Sequence, residues 1–332
     1  MSTHWKERPE GGGWFAIWLI RTIARRGGRV VARAFLYPIV AYFLVMRGPE
    51  RRASRAYLTR AMGKPARLLD VARHIHTFAS TILDRVFLLG EDMRRFDVRV
   101  QGVDQLHEAL DTHGGVLLFG SHLGSFEVLR VLARARPDVP LRVVLEKAHN
   151  PAMTQLLDAL NPEIAATVID ASQDGPSVVL AIQQAIAEGA IVALLVDRMH
   201  PGEGAYPVEF LGAPAPLPSS PWLIAAVLHA PIVLAFGLYR GGNRYELVFE
   251  PFSGPIRIKR QDRAQVLGDM ARRYAARLEH HARNAPYNWF NFYDYWQATG
   301  APSDDQPQAT TRDGLPARPA GDAVDGGVGR AA

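Results

Sequence analysis

Residues 114–130 read GGVLLFGSHLGSFEVLR, and this stretch decides the fold. Its apolar run, Val116 to Phe119, is too short for a helix and carries no polar alternation. A run of that kind reads as a strand buried on both faces, as in a parallel sheet. It ends in Gly120-Ser121-His122, followed by Gly124, Ser125 and Glu127. In open α/β sheets the working residues lie beyond the carboxyl ends of the strands, which is where this pattern delivers a histidine. Positions five apart on a helix differ by about 140° and share no face. His122 is therefore expected before a helix, in the turn, with Glu127 reaching back to it from the first helical turn. A carboxylate on one ring nitrogen leaves the other free to take a proton from a hydroxyl. It would also raise the histidine pKa. The N–H groups of the helix start are expected to favour a developing oxyanion.

Working outward, further apolar runs recur at 141–146 (LRVVLE) and 190–196 (AIVALLV), separated by helical stretches. FDVRVQG (96–102) alternates as a half-buried strand does. PIVLAFGLYR (231–240) and RYELVFEPF (244–252), joined at Gly241-Gly242-Asn243, form a hairpin that continues the sheet. Helices are expected over 51–63, 65–89, 103–114 and 262–284. The predicted class is α/β, a mainly parallel mixed sheet covered by helices on both faces. From about Gly300 the composition turns to Pro, Gly, Ala and Asp, and a disordered tail is expected. The expected division is 1–50, an N-terminal helical segment; 51–298, the α/β domain; and 299–332, the tail.

The 332 residues carry a net charge of +5 and no cysteine. Disulfides, Cys-ligated zinc and iron–sulfur clusters are thereby excluded. Between Glu10 and Glu50 there is no acidic residue, whereas Arg21, Arg25, Arg29 and Arg33 recur every four residues. On a continuous helix they form one basic stripe. AFLYPIVAYFLVM (34–46) follows, shorter than the roughly 20 apolar residues of a full span and interrupted by Pro38. The segment reads as a membrane-interface anchor, re-entrant or marginally spanning. Its arginines are expected at lipid phosphates and its Trp, Phe and Leu in the acyl region. Positive flanks place it on the cytoplasmic leaflet of the inner membrane. A soluble helix covering the core is the alternative.

Other chemistries fit less well. GSHLG has the outline of a nucleophile elbow, but its central residue is His122 rather than serine. No H-E-x-x-H, Walker A or strand-borne G-x-G-x-x-G sequence is present. His74/His76 and His280/His281 lack a third ligand at metal spacing and read as core or surface helix residues; no metal and no cofactor is expected. No basic–aromatic motif points to nucleic acid.

SHLGSFE (121–127) resembles the His-four-residues-acid motif of the lysophospholipid acyltransferase superfamily, and most of all its lipid A biosynthesis branch. YLTRAMG (57–63), VEFLGAPAPLPSSPWLIAA (208–226) and APYNWFNFYDYW (285–296) resemble that branch too, so that the resemblance runs from about Ala53 to Gln297. It implies a glycerol-3-phosphate acyltransferase-like sheet and a membrane-associated O-acyltransferase. The donor would be an acyl carrier protein or CoA thioester, and the acceptor a hydroxyl of a lipid or glycolipid on an anionic membrane. His122 is then the base and Glu127 its partner. LLVDRMHPGEG (194–204) matches the branch's strand-to-Asp element, so that Asp197 and Arg198 join the site, Arg198 facing a phosphate of acceptor or donor. Gly124, Ser125, Phe210 and Gly212 complete the expected substrate-binding set. In one respect the sequence departs: the segment EKAHNPAMTQLLDALNPE, where the branch carries an arginine, has Lys147 alone as a cation. An ornithine lipid, a lysophospholipid or a polyene lipid therefore stands beside lipid A as acceptor, and a lipid hydrolase on the same fold is the alternative.

Overall fold

The computed structural model describes residues 22, 27–89, 92–129, 131–132, 136–148, 154, 165–200 and 202–296. The expected tail, Arg21 and Arg25, and most of the segment after Lys147 lie outside the described residues. The central sheet has seven strands in the order β1-β9-β8-β2-β5-β3-β4. They are β1 (Asp97–Gln101), β2 (Val116–Gly120), β3 (Leu141–Leu145), β4 (Ile169–Asp170), β5 (Ile191–Leu195), β8 (Ile232–Tyr239) and β9 (Arg244–Ser253). Strands β8, β2, β5, β3 and β4 run parallel; β9 turns back on β8, and β1 follows β9. This is the mainly parallel mixed sheet that the apolar runs predict.

Alternate residues of the central strands feed two cores. Leu117, Phe119, Val192, Leu194, Leu234 and Phe236 face one side. Val116, Leu118, Ile191, Ala193, Val233 and Ala235 face the other. Helices α2 (Gly48–Met62), α5 (Gly175–Ala187), α6 (Ser220–Leu228) and α7 (Arg263–Asn284) cover the first. Helix α4 (Val103–His113), with Ala32 and Leu36, covers the second. Helix α3 (Leu68–Leu88) serves both: Val71 and Ile75 enter the first core, Leu83 and Phe87 the second.

The sequence does not announce β4, a two-residue edge strand, or the hairpin β6 (Ala205–Phe210) and β7 (Ala213–Pro218). A two-stranded ribbon leaves each strand one unpaired side, so that Pro207, Pro214, Pro216 and Pro218 cost no ladder bonds.

The N-terminal helix α1 (Gly27–Met46) is broken at Phe35, three residues ahead of Pro38. Proline has no N–H for the carbonyl four residues back, which fits the expected kink. Ala32, Leu36 and Val40 bury one stripe of α1 against the domain. The arginine stripe does not behave as expected. Arg29 faces inward and grips Asp84 of α3 through two bonds of 2.7 and 2.8 Å. It also reaches the carbonyl of Gly242 in the β8–β9 turn. Arg33 donates to Tyr239 Oη at 3.0 Å, and Tyr245 Oη donates to Asp84 at 2.8 Å. Asp84 is fully buried and needs a cation; Arg29 satisfies it in preference to lipid phosphate, and Arg33 turns to Tyr239 and the Gly242 carbonyl.

Asp84→Ala leaves the Arg29 charge without its partner and is expected to lower stability by about 3–5 kcal/mol. Arg99→Ala, on the exposed side of β1, should change it by less than about 0.5 kcal/mol. Denaturant midpoints measure both.

Candidate active site

Strands β2 and β5 pair in parallel with Phe119 opposite Leu194 and Gly120 opposite Leu195. His122 and Asp197 each lie two residues past that last pair, so the register sets them side by side. The His122 Nδ1 atom is 2.8 Å from Asp197 Oδ1. The backbone N–H of His122 donates to the same carboxylate, at 3.1 and 3.0 Å. The indole N–H of Trp289 donates to Asp197 Oδ2 at 2.9 Å. Asp197 has no exposed side-chain surface, whereas the His122 side chain keeps 32% of its own. The acid is thus the interior member of the pair and the imidazole the accessible one.

Burial works against the Asp197 charge, but His122, Arg198 and Trp289 outweigh it and hold the carboxyl at about 2. Burial lowers the His122 pKa, and Arg198 lowers it further; Asp197 offsets part of this. The expectation that a carboxylate would raise this pKa is corrected: desolvation and the neighbouring guanidinium outweigh it. At neutral pH His122 is a neutral imidazole. With Nδ1–H donated to Asp197, its Nε2 lone pair is open to a substrate proton.

Glu127 does not reach back to His122. Its carboxylate lies 2.6 Å from Arg85 of α3 and accepts from Ser125 Oγ at 2.8 Å. A buried acid takes the nearest cation, and Asp197 already holds the histidine. The expected helix start is also different: residues 126–129 form a single 3₁₀ turn. The turn's N–H groups are committed, that of Gly124 to the Asn288 carbonyl (2.8 Å) and that of Ser125 to the Gly237 carbonyl (2.7 Å). With the His122 N–H bound to Asp197, these three are occupied in holding the turn and do not form the anticipated oxyanion site. Gly124 has φ +77°, and a Cβ there would stand 1.9 Å from the Gly237 carbonyl oxygen. A Cβ on Gly237 would in turn meet the Ser125 carbonyl at 2.1 Å. The two glycines let the turn dock on β8.

A family model described as "Bacterial lipid A biosynthesis acyltransferase" matches residues 70–298. The chain belongs to this family. It is an acyltransferase by that membership, of the class that moves acyl groups. No curated protein matches the chain.

Within this acyltransferase the predicted site residues divide by position. His122, Asp197 and Arg198 come together at the ends of β2 and β5. Arg198 donates to the Phe290 carbonyl at 2.6 Å and lies 5.6 Å from the centre of the Tyr293 ring. Gly124 and Ser125 sit inside the turn's own packing, Ser125 being buried. Phe210 is buried against Trp289, with ring centres 5.1 Å apart, and Gly212 closes the β6–β7 turn. Among the described residues, no group of three or more His, Asp or Glu is arranged to hold a metal ion.

The site also uses residues that sequence reasoning did not assign. The segment 285–296 lies across it. Phe290 N–H donates to the His122 carbonyl at 2.9 Å, Tyr295 Oη donates to the Asp197 carbonyl at 3.0 Å, and Trp289 supplies its indole. His74 of α3 holds this segment from below: Nε2 is 2.9 Å from the Trp289 carbonyl and Nδ1 is 2.8 Å from Ser54 Oγ. The aromatic run YNWFNFYDYW was the available signal, since so many rings in so short a stretch have to be packed somewhere.

Full burial lowers the His74 pKa from 6.5 to about 4, the Trp289 carbonyl offsetting only part of this. Between those two values the unfolded chain binds a proton that the folded chain refuses, so stability falls as pH drops from about 6.5 to 4. The unfolding midpoint should decline across that window. His74→Asn, which cannot ionise, should flatten the decline.

Proposed function

We propose that this family member transfers a fatty acyl chain from an acyl carrier protein or CoA thioester to a hydroxyl of a lipid A-type acceptor. The observation that carries the proposal is the accessible, neutral His122 braced through Nδ1 by a buried, ionised Asp197. Nε2 accepts the hydroxyl proton as the oxygen attacks the thioester carbonyl. The tetrahedral adduct collapses, an ester forms, and the leaving thiolate takes the proton back from the imidazolium. Asp197 stabilises the imidazolium between these steps and fixes the ring. The Arg198 guanidinium stands near both residues and supplies positive charge for a phosphate of the acceptor or of the donor's phosphopantetheine.

In this reading Glu127 is a positioning residue. It ties the His122 turn to α3 through Ser125 and Arg85. Residues 51–298 carry the transfer activity, and α1 keeps the domain on the cytoplasmic face of the inner membrane. The net charge of +5 suits both an anionic bilayer and an acidic carrier protein. The lone Lys147 in 146–163 keeps a lipid with fewer phosphates, such as an ornithine lipid, as the second acceptor.

Mass spectrometry of total lipids with and without the active protein tests the proposal: one acceptor should gain the mass of one acyl chain. No acylated product, or only free fatty acid, would sink the transferase reading. His122→Ala should reduce turnover by about 10²–10⁴-fold. Asp197→Asn should also reduce it steeply, because an amide oxygen or nitrogen no longer selects the productive tautomer. In the wild-type protein kcat/KM should rise through a pKa below 6.5 and stay level to pH 8, since His122 must be neutral.

A further inference from the structure

The first turn of α3 is exposed where a core helix would be expected to be polar. Leu68 and Leu69 are 53% and 62% exposed. Val71 and Ile75, a turn further on, already supply the buried face of this helix. Leu69 projects from the side opposite Val71, while Leu68, the first residue of the helix, lies on the Val71/Ile75 side and is exposed all the same. Around them stand Lys64, Arg67 and Arg73, all exposed. Asp70, in the same turn, is engaged by the Arg67 backbone N–H and by Tyr287 Oη, both at 2.9 Å.

Helix α1 extends this surface. It runs antiparallel to α3, because Arg29 meets Asp84 while Tyr37 lies 5.4 Å, ring to ring, from His76. Its last residues therefore approach the start of α3. There Tyr42, Val45 and Met46 are 56%, 73% and 64% exposed. The surface borders the catalytic site through two links. Asp70 binds Tyr287, and His74 binds the Trp289 carbonyl. Trp289 holds Asp197.

We propose that Leu68 and Leu69 form a second bilayer contact, seated in the interfacial region of an anionic phospholipid membrane. This deepens the membrane reading above and rests on it. Paired leucines ringed by three cations match the chemistry of a lipid interface, apolar below the headgroups and negative at them. A partner protein would have to supply an apolar socket and an acidic rim together; a bilayer supplies both along its whole surface. The contact lays α1 along the membrane and sets the His122 end of the sheet towards the lipid, so that an acceptor need not leave the interface to be acylated.

The chain has no cysteine, so a single introduced thiol can be labelled uniquely. The full-length protein carrying Leu69→Cys is labelled with a polarity-sensitive fluorophore and reconstituted into phosphatidylethanolamine/phosphatidylglycerol vesicles. Ala187→Cys is the control. That residue is exposed at the end of α5, just ahead of β5, at the end of the sheet opposite His122. Flotation on a density gradient reports whether the protein is bound at all. The position-69 label should be quenched several-fold more by lipid-attached nitroxide than the position-187 label, and several-fold less by iodide. A protein that floats with position 69 as open to iodide as position 187 overturns this contact while leaving the general membrane reading intact. A protein that does not float overturns both. Shielding of position 69 without vesicles, or only after acyl carrier protein is added, assigns the surface to self-association or to the carrier and also overturns the proposal.

Discussion

A single buried carboxylate organises this site. Asp197 accepts from the backbone and the ring of His122 and from the indole of Trp289, and its own carbonyl accepts from Tyr295. An isolated charge at that depth would be very costly, and a charge with this many donors is held in one geometry. Two strand ends and a C-terminal segment, far apart in sequence, are thereby fixed against one another. Neither β2 nor β5 alone specifies the direction in which the histidine faces; the Asp197 contacts do.

A second buried acid does comparable work on the other side of α3. Asp84 gathers Arg29 and Tyr245, just as Asp197 gathers His122 and Trp289. One anchors α1 to the domain; the other holds the candidate site together. The helix between them also carries Arg85 to Glu127 and His74 to the aromatic segment. The anchorage of α1 and the supports of the candidate site thus share one helix of 21 residues.

Much of this architecture is legible in the sequence for a simple reason. The continuous apolar runs at 116–119 and 190–196 become strands buried on both faces, while 141–145, which carries Arg142, becomes a half-buried one; His122 follows three residues after the first run. The partner of that histidine was harder to see. Glu127 is close in the chain, and proximity in sequence made it the natural candidate. Asp197 is adjacent only because the register of β2 against β5 equates the two positions, and register depends on packing across the whole sheet. Arg29 and Arg33 illustrate the same limit. A stripe of arginines reads identically whether it faces phosphate or a buried aspartate, and only the tertiary partner decides. The prolines of β6 and β7 hid a hairpin because a two-stranded ribbon forgives what a central strand does not.

The aromatic segment 285–296 has a consequence for the order in which competence is acquired. His122 and Asp197 are brought together by strands that a chain released only as far as α7 already contains. Trp289, Phe290 and Tyr295 are not yet available to it. Such a chain has a sheet, two cores and a histidine beside an acid, but the acid lacks its indole and the turn lacks its brace. Residues 285–296 supply these remaining contacts to Asp197 and the His122 turn. A chain that ends at α7 therefore holds His122 beside an Asp197 that has lost its indole donor.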